Sequence, residues 1–384
     1  MNEIYSIISI VAAGSLLFVF GLLFLLLIVP DRPLLYNYRI ARRTMAFSYL
    51  FFAVVEILKG AYTYTHVSGS NIMLIQTVIL SIAFSQALLF SYSLIVLVNV
   101  RFADRRLFNR ELIPVLSLIA VLFIAYIACP RLCFRFLFYV FILLYSAQLV
   151  RYTHLFLTNY RIFRFRLDNY YSESESKRLH WIVFSFFASL VIGVMAMFTA
   201  LSGVLLAALI FSIIVIVFYT FFAISFFNYP YLFQRIIEQS MNDDDEPEEP
   251  VQPKNDSKPF NEAFAQLEKR IELWIADKGF TEQGITIDIM SAKLITNQKY
   301  LSTYINTYKK QTFREWINEL RIEEAKILLL QYPEMPLKEV ASQVGFSDKS
   351  HFLRQFKKLT NVSPTIWKNI VHAQSFPVLT PKRP

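Results

Sequence analysis

Over roughly the first 230 positions the apolar residues come in long, nearly uninterrupted runs, and beyond them they shrink to the short helical spacings of a soluble domain. Seven runs stand out, at about 6–29, 44–65, 72–98, 112–128, 134–157, 181–201 and 204–227. Each is near the ~20 residues a helix needs to cross a ~30 Å hydrocarbon core. With no water in that core, every backbone N–H and C=O must be paired within the segment, so such runs predict helices. The first run follows Met1-Asn2-Glu3 without a basic residue, which predicts a retained first helix rather than a cleaved signal peptide.

After position 260 the spacing changes. Leu267, Ile271, Trp274 and Ile275 fall on one helical face, and Gly279 is the expected left-handed cap of that helix. Further helices are expected at about 287–294, 298–308, 312–330, 336–344, 348–359 and 363–370, with no sustained strand-like alternation. The expected fold class is therefore all-α: a polytopic transmembrane helix bundle of about seven helices at 1–230, then a C-terminal all-α domain at 260–372. Between them 231–259 forms a linker whose core, MNDDDEPEEPVQPKNDSK, has too few large apolar residues to bury. It is expected to be a disordered tether of roughly 25 Å root-mean-square span, an acidic solvated spacer or a screen for a basic face of the domain it tethers. Residues 373–384 are expected to be a disordered tail.

Composition sharpens this division. The chain is 55% hydrophobic and 16% aromatic, more apolar surface than a soluble domain of its length can bury. Its net charge of +9 suits anionic lipid, nucleic acid or both. Thirteen Lys and Arg lie in the loops after the first, third and fifth runs (Arg32 to Arg43, Arg101 to Arg110, Arg161 to Arg178). The alternate connections are poor in basic residues, with only Arg131 and Arg135 near the fourth. The positive-inside rule then predicts the N-terminus outside and the C-terminal domain in the cytoplasm. Cys129 and Cys133 allow an extracytoplasmic disulfide or two buried thiols, but no zinc cluster or redox pair.

Two patterns carry candidate chemistry. In the bundle Glu56, Lys59, Gln76, Gln86 and Gln148, with Arg151, fall inside apolar runs, where polar groups are costly unless paired or hydrated. They can line a ligand cavity or simply hold helices together. No metalloprotease, phosphate-loop or nucleophile-elbow motif occurs, so no catalysis, metal or cofactor is expected. In the C-terminal domain EVASQVGFSDKSHFLRQFKKLTNVSP, residues 339–364, has helix-turn-helix physics. Ala341 is small where helices cross, Gly345 permits a tight turn, Phe346 plugs the core and Ser347 is the expected cap of the next helix. There Phe352, Phe356 and Leu359 share an inward face, opposite Ser350, Arg354 and Lys357, with Lys349, His351 and Lys358 completing the expected DNA contacts. An earlier segment repeats the pattern, with Leu301, Tyr304, Ile305 and Tyr308 inward and Lys299, Ser302, Thr303 and Asn306 outward.

On these residues the region from about 260 to 369 resembles the DNA-binding domain of AraC/XylS-type bacterial regulators. The resemblance rests on Tyr300-Leu301-Ser302, Phe313-Arg314-Glu315-Trp316, Leu320 to Ala325, Val344 to Phe352, Phe356-Lys357-Lys358 and Ser363-Pro364, in order. It implies seven helices, two helix-turn-helix units ~34 Å apart reading successive major grooves, and sequence-specific promoter binding, usually to activate transcription. The family favours Gly where Ile295, Lys310 and Asn361 stand, and often Arg where Thr303 stands, so the second unit is expected to read DNA more strongly. The expected partners are double-stranded promoter DNA, the lipid bilayer and RNA polymerase, with a small-molecule ligand and a second copy as a homodimer left open. The expected function is a membrane-anchored, sequence-specific regulator. A small-molecule transporter or receptor with an appended regulatory domain, and an inert anchor, remain the alternatives.

Overall fold

The computed structural model describes residues 2–29, 35–65, 72–129, 131–173, 176–202, 205–240 and 258–375. The acidic stretch of the linker at 241–257 and the end of the tail at 376–384 lie outside them. Among the described residues fourteen α-helices run in order: α1 Asn2–Leu26, α2 Tyr36–Thr65, α3 Ile72–Val98, α4 Arg105–Ala128, α5 Arg131–Tyr170, α6 Ser176–Ser202, α7 Leu205–Ser240, α8 Lys258–Ala276, α9 Ile287–Lys293, α10 Gln298–Tyr304, α11 Phe313–Gln331, α12 Leu337–Gln343, α13 Lys349–Thr360 and α14 Pro364–Ser375. Among the same residues the one extended pairing is an isolated antiparallel bridge between Tyr171 and Thr286. The fold is all-α, as expected. Two compact units emerge, Met1–Phe163 with Arg178–Asp244, and Arg164–Lys177 with Asp245–Pro384.

The first unit is built on α1 to α7, one helix for each apolar run. Among the described residues five stretches are long and apolar enough to cross a membrane: Thr77–Val98, Arg105–Ala128, Cys133–Tyr170, Leu179–Phe198 and Ile210–Pro230. Val11–Leu26 of α1 is a shorter apolar stretch, and α2, which carries Arg39, Arg42, Arg43 and Glu56, is not among the five. α1 packs on α2 through its glycines. A Cβ on Gly14 would lie 2.7 Å from the Ile57 side chain, and one on Gly21 would lie 2.8 Å from Leu50. Small residues let the two backbones approach closely enough for dispersion contacts between them. Aromatic rings fill the rest, with Phe24, Tyr49, Phe222 and Phe226 fully buried and Tyr49 Oη donating to the Tyr219 carbonyl at 2.7 Å.

The second unit has two hydrophobic cores that share one helix. Phe313, Trp316 and Ile317 in the first half of α11 join Leu267, Ile271, Met290, Leu301 and Tyr304. Ile322, Ala325 and Leu329 in its second half join Val340, Val344, Phe346, Phe352 and Phe356. α11 is thus a spine with one helix-turn-helix unit packed on each half. Its start is fixed by Thr312, whose hydroxyl accepts from the Glu315 N–H while the Glu315 carboxylate accepts from the Thr312 N–H. That reciprocal pair satisfies two donors the helix end leaves open. Gly279 departs from expectation: Lys278, at φ 54°, takes the left-handed position. The glycine is needed for space instead, because a Cβ on Gly279 would run into the Trp274 ring.

Candidate nucleic-acid interface

The second helix-turn-helix unit is built by its turn. Gly345 adopts φ +94°, and a Cβ there would meet the Thr281 carbonyl oxygen at 2.5 Å, so both conformation and space demand glycine. The sharp turn drops Phe346 into the core, 2% exposed, and α13 restarts at once. Its cap is Asp348, whose carboxylate accepts from the Ser350 N–H at 3.0 Å, and not Ser347 as expected. The Ser347 hydroxyl donates instead to Glu173 Oε2 at 2.8 Å.

Along α13 the faces separate. Phe352 and Phe356 are fully buried, while Lys349, Ser350, Arg354, Lys357 and Lys358 are exposed. Two residues leave their expected sides. Leu359 is 43% exposed, because Phe356 and Trp367, in edge contact at 5.9 Å, already close the core there. His351 is 6% exposed and stands edge-on to Phe346 at 5.4 Å, so it supports the turn from inside rather than facing outward. Burial lowers its pKa from the ordinary 6.5 to about 4, and Arg314, Arg354 and Arg321 push the same way against the opposing pull of Asp348. Lys358 stands 3.9 Å from Glu315 with both side chains more than half exposed, a pairing weak enough for a phosphate to displace.

In the first helix-turn-helix unit Asn297 caps α10 by accepting from the Tyr300 N–H at 2.7 Å. A π-helical turn, Ile305–Lys309, continues it. Leu301, Tyr304 and Ile305 are buried as expected, but Tyr308 is 51% exposed and stacks on Tyr304 at 5.3 Å. Lys299 is exposed, whereas Ser302, Thr303 and Asn306 are half-buried and Asn306 Nδ2 donates to Ser302 Oγ at 3.2 Å. Ile295, Lys310 and Asn361 adopt φ of 51°, 52° and 63°, so all three departures from glycine occupy left-handed backbone.

The polar residues of the bundle are only partly gathered. Glu56 and Gln86 line one cavity of about 120 Å³ with Phe52, Tyr145, Tyr152 and Tyr219. Gln86 is held by Ser48 and Tyr219, which donate to its Oε1, while its Nε2 donates to the Ser48 carbonyl at 2.8 Å. Gln148 lies apart from the lining and donates to the Phe84 carbonyl at 3.2 Å. Arg151 pairs with Glu111. The side chains of Lys59 and Gln76 lie outside the described residues. Cys129 and Cys133 are free thiols, Cys133 exposed, rather than a disulfide or two buried groups.

Sequence reasoning missed Asp168, Tyr170 and Glu173, which belong to the second compact unit. They follow the apolar part of α5 in a segment read only for its basic charge. The one signal was their acidic and aromatic character amid Arg161, Arg164 and Arg166.

Two helix-turn-helix units on a shared spine, one with an exposed basic stripe on its second helix, define a DNA-binding domain of a transcription regulator. Residues 290–370 match the helix-turn-helix domain family. YijO of Escherichia coli (strain K12), an uncharacterized HTH-type transcriptional regulator, is 33% identical over 91 residues, 24% of this chain and 32% of YijO. PqrA of Proteus vulgaris, a probable transcription factor, is 30% identical over 91 residues, 24% of this chain and 74% of PqrA. An uncharacterized HTH-type regulator from the cgkA 5′ region of Pseudoalteromonas carrageenovora is 32% identical over 96 residues, 25% of this chain and 55% of that protein. No solved structure matches. The chain belongs to the AraC-type helix-turn-helix family of transcriptional regulators through this C-terminal domain. It spans about a third of YijO, and the family match covers residues 290–370.

Proposed function

We propose that this protein is a membrane-embedded transcription regulator that binds promoter DNA sequence-specifically and couples a signal received in its bundle to that binding. The observation that carries the reading is the α13 stripe. Arg354 projects from the middle of the exposed face above fully buried Phe352 and Phe356, the position from which a guanidinium fork reaches a guanine edge. Lys349, Lys357 and Lys358 flank it, placed for phosphates, which fix register without reading sequence. Lys299, Ser302, Thr303 and Asn306 form a weaker second reader, since half-burial and mutual hydrogen bonding leave them less to offer a base. His351 is left out of this set.

The five apolar helices support lipid as the solvent of the first unit, and thirteen basic residues gathered at alternate ends of the apolar runs support a cytoplasmic C-terminal domain. The cavity beside Glu56 and Gln86 supports a small, largely apolar ligand as the signal over an inert anchor, because a lining of aromatic rings with a few polar groups is typical of small-molecule sites. RNA polymerase as partner and a homodimeric state belong to the same reading. The test is selection of duplexes from a random pool by the full chain in lipid nanodiscs. One enriched sequence, lost from the pool selected by Arg354→Ala, is expected. A pool that stays random overturns the reading.

A further inference from the structure

The segment between α5 and α6, Arg164–Lys177, partitions with the DNA-binding unit, and its contacts are specific. Tyr170, 7% exposed, is part of the first core with Leu267, Ile271 and Trp316. Tyr171 bridges Thr286, the cap of α9, and the Ser172 N–H donates to the Ile285 carbonyl at 3.2 Å. Two carboxylates finish the contact: Asp168 pairs with Arg314 at the start of α11, and Glu173 accepts from Ser347, one residue before the cap of α13. The remaining Glu173 oxygen, Oε1, is buried without a hydrogen-bond partner, as is Nη1 of the fully buried Arg321, whose positive charge Glu173 stabilises.

Position gives this strap its consequence. The N-terminal residues of a recognition helix enter the major groove, and the phosphates nearby seek cations and free N–H or O–H donors. Here a carboxylate already holds the Ser347 hydroxyl, and another neutralises Arg314. A phosphate approaching that end of α13 meets negative charge where it would need donors. We propose that Arg164–Lys177 is an autoinhibitory clasp, docked on the first helix-turn-helix unit through Asp168 and Tyr171 and on the second through Glu173, and that the docked state is the state of low DNA affinity. α5 and α6 flank the clasp in the chain, so a rearrangement of the bundle that shifts either helix pulls on it directly. The inference rests on the DNA-binding reading above.

The test is a disulfide lock in the full chain. Residues directly opposite in an antiparallel bridge have Cα atoms about 4.5–5.5 Å apart, within disulfide reach. Tyr171→Cys with Thr286→Cys, in a background carrying Cys129→Ser and Cys133→Ser, is placed in nanodiscs and its cross-link verified by mass. The probe is the duplex that this reduced protein selects from a random pool. Oxidation is expected to weaken binding by roughly tenfold or more, reversibly with a reductant, as like charges held together at an interface do. Asp168→Asn with Glu173→Gln, which leaves the bundle and the α13 stripe intact, is expected to tighten binding to the same duplex. Equal or tighter binding by the oxidised form, or no gain from the double variant, overturns the clasp alone. If neither the reduced nor the carboxamide protein retains any duplex, the DNA-binding reading falls and takes the clasp with it.

Discussion

Arg354 and His351, three residues apart on α13, have opposite fates that the chain decides by burial. Arg354 is exposed and is the proposed base reader, so Arg354→Ala is expected to cost ~1–3 kcal/mol at the selected site while sparing a scrambled duplex. Lys357→Ala and Lys358→Ala are expected to weaken both duplexes alike, and each phosphate left without its lysine should make the salt dependence shallower by about one unit. Titrations of both duplexes at several salt concentrations separate the two behaviours. His351 predicts a pH effect instead. Its folded pKa of about 4 lies below the ordinary 6.5, so the unfolded chain binds the proton more readily than the folded one. The neutral ring costs the fold nothing above pH 6.5, and stability is lost as pH falls from there toward 4, by on the order of 2–3 kcal/mol. Hydrogen exchange of the Phe352 and Phe356 amides across that window measures the loss. His351→Leu should remove this component and leave any due to carboxylate protonation.

At the scale of elements the backbone makes the sharpest predictions. Ile295 and Lys310 hold left-handed geometry with side chains that reach into solvent, Ile295 at 83% exposure. Ile295→Gly and Lys310→Gly therefore lose no packing and relieve a Cβ–carbonyl clash worth about 1 kcal/mol each, raising the midpoint of thermal unfolding of the domain. Gly345→Ala must do the reverse, because its Cβ would strike a backbone carbonyl that no rotamer change can move. A rise in stability for Gly345→Ala would mean that the turn differs from the one described. These left-handed positions were legible in the sequence because the resemblance marks them as glycine sites. So were the seven C-terminal helices, the buried Phe352 and Phe356, and the exposed Arg354, since periodicity encodes which face of a helix is dry. His351 and Ser347 were not legible. Periodicity assigns a face to each residue but says nothing of a partner from a distant segment, and Ser347 is taken by Glu173, 174 positions away. The end of α5 escaped for a related reason. Hydropathy marks where a helix leaves apolar surroundings, whereas hydrogen bonding carries α5 on to Tyr170.

On the scale of the whole molecule, the sidedness of the proposed membrane-spanning bundle follows from parity. Among the described residues five stretches are apolar enough to cross a membrane, and the described parts of α1 and α2 are not among them. If α1 and α2 both cross, the count is odd, and if neither crosses it is odd again, so the N-terminus and the C-terminal domain lie on opposite sides either way. A crossing by one of them alone would break the pattern, and the basic residues at the start of α2 argue for both, since Arg39, Arg42 and Arg43 favour the cytoplasmic face while Thr65 ends α2 before a connection with no basic residue. The segment Arg164–Lys177 adds a constraint of its own. It belongs to the same compact unit as residues 245–384, so the two must share one side of the bilayer, which requires α6 and α7 together to cross an even number of times. Separate helices ending at Ser202 and beginning at Leu205 meet that requirement, whereas one merged helix would not. Reporter fusions after Ser70, Asp104, Pro130 and Pro384 are expected to read outside, inside, outside and inside. A cytoplasmic reading at Ser70 with the other three unchanged would mean that α3 does not cross the membrane and would overturn this topology. An outside reading at Pro384 would separate the DNA-binding domain from the chromosome and end the proposed function.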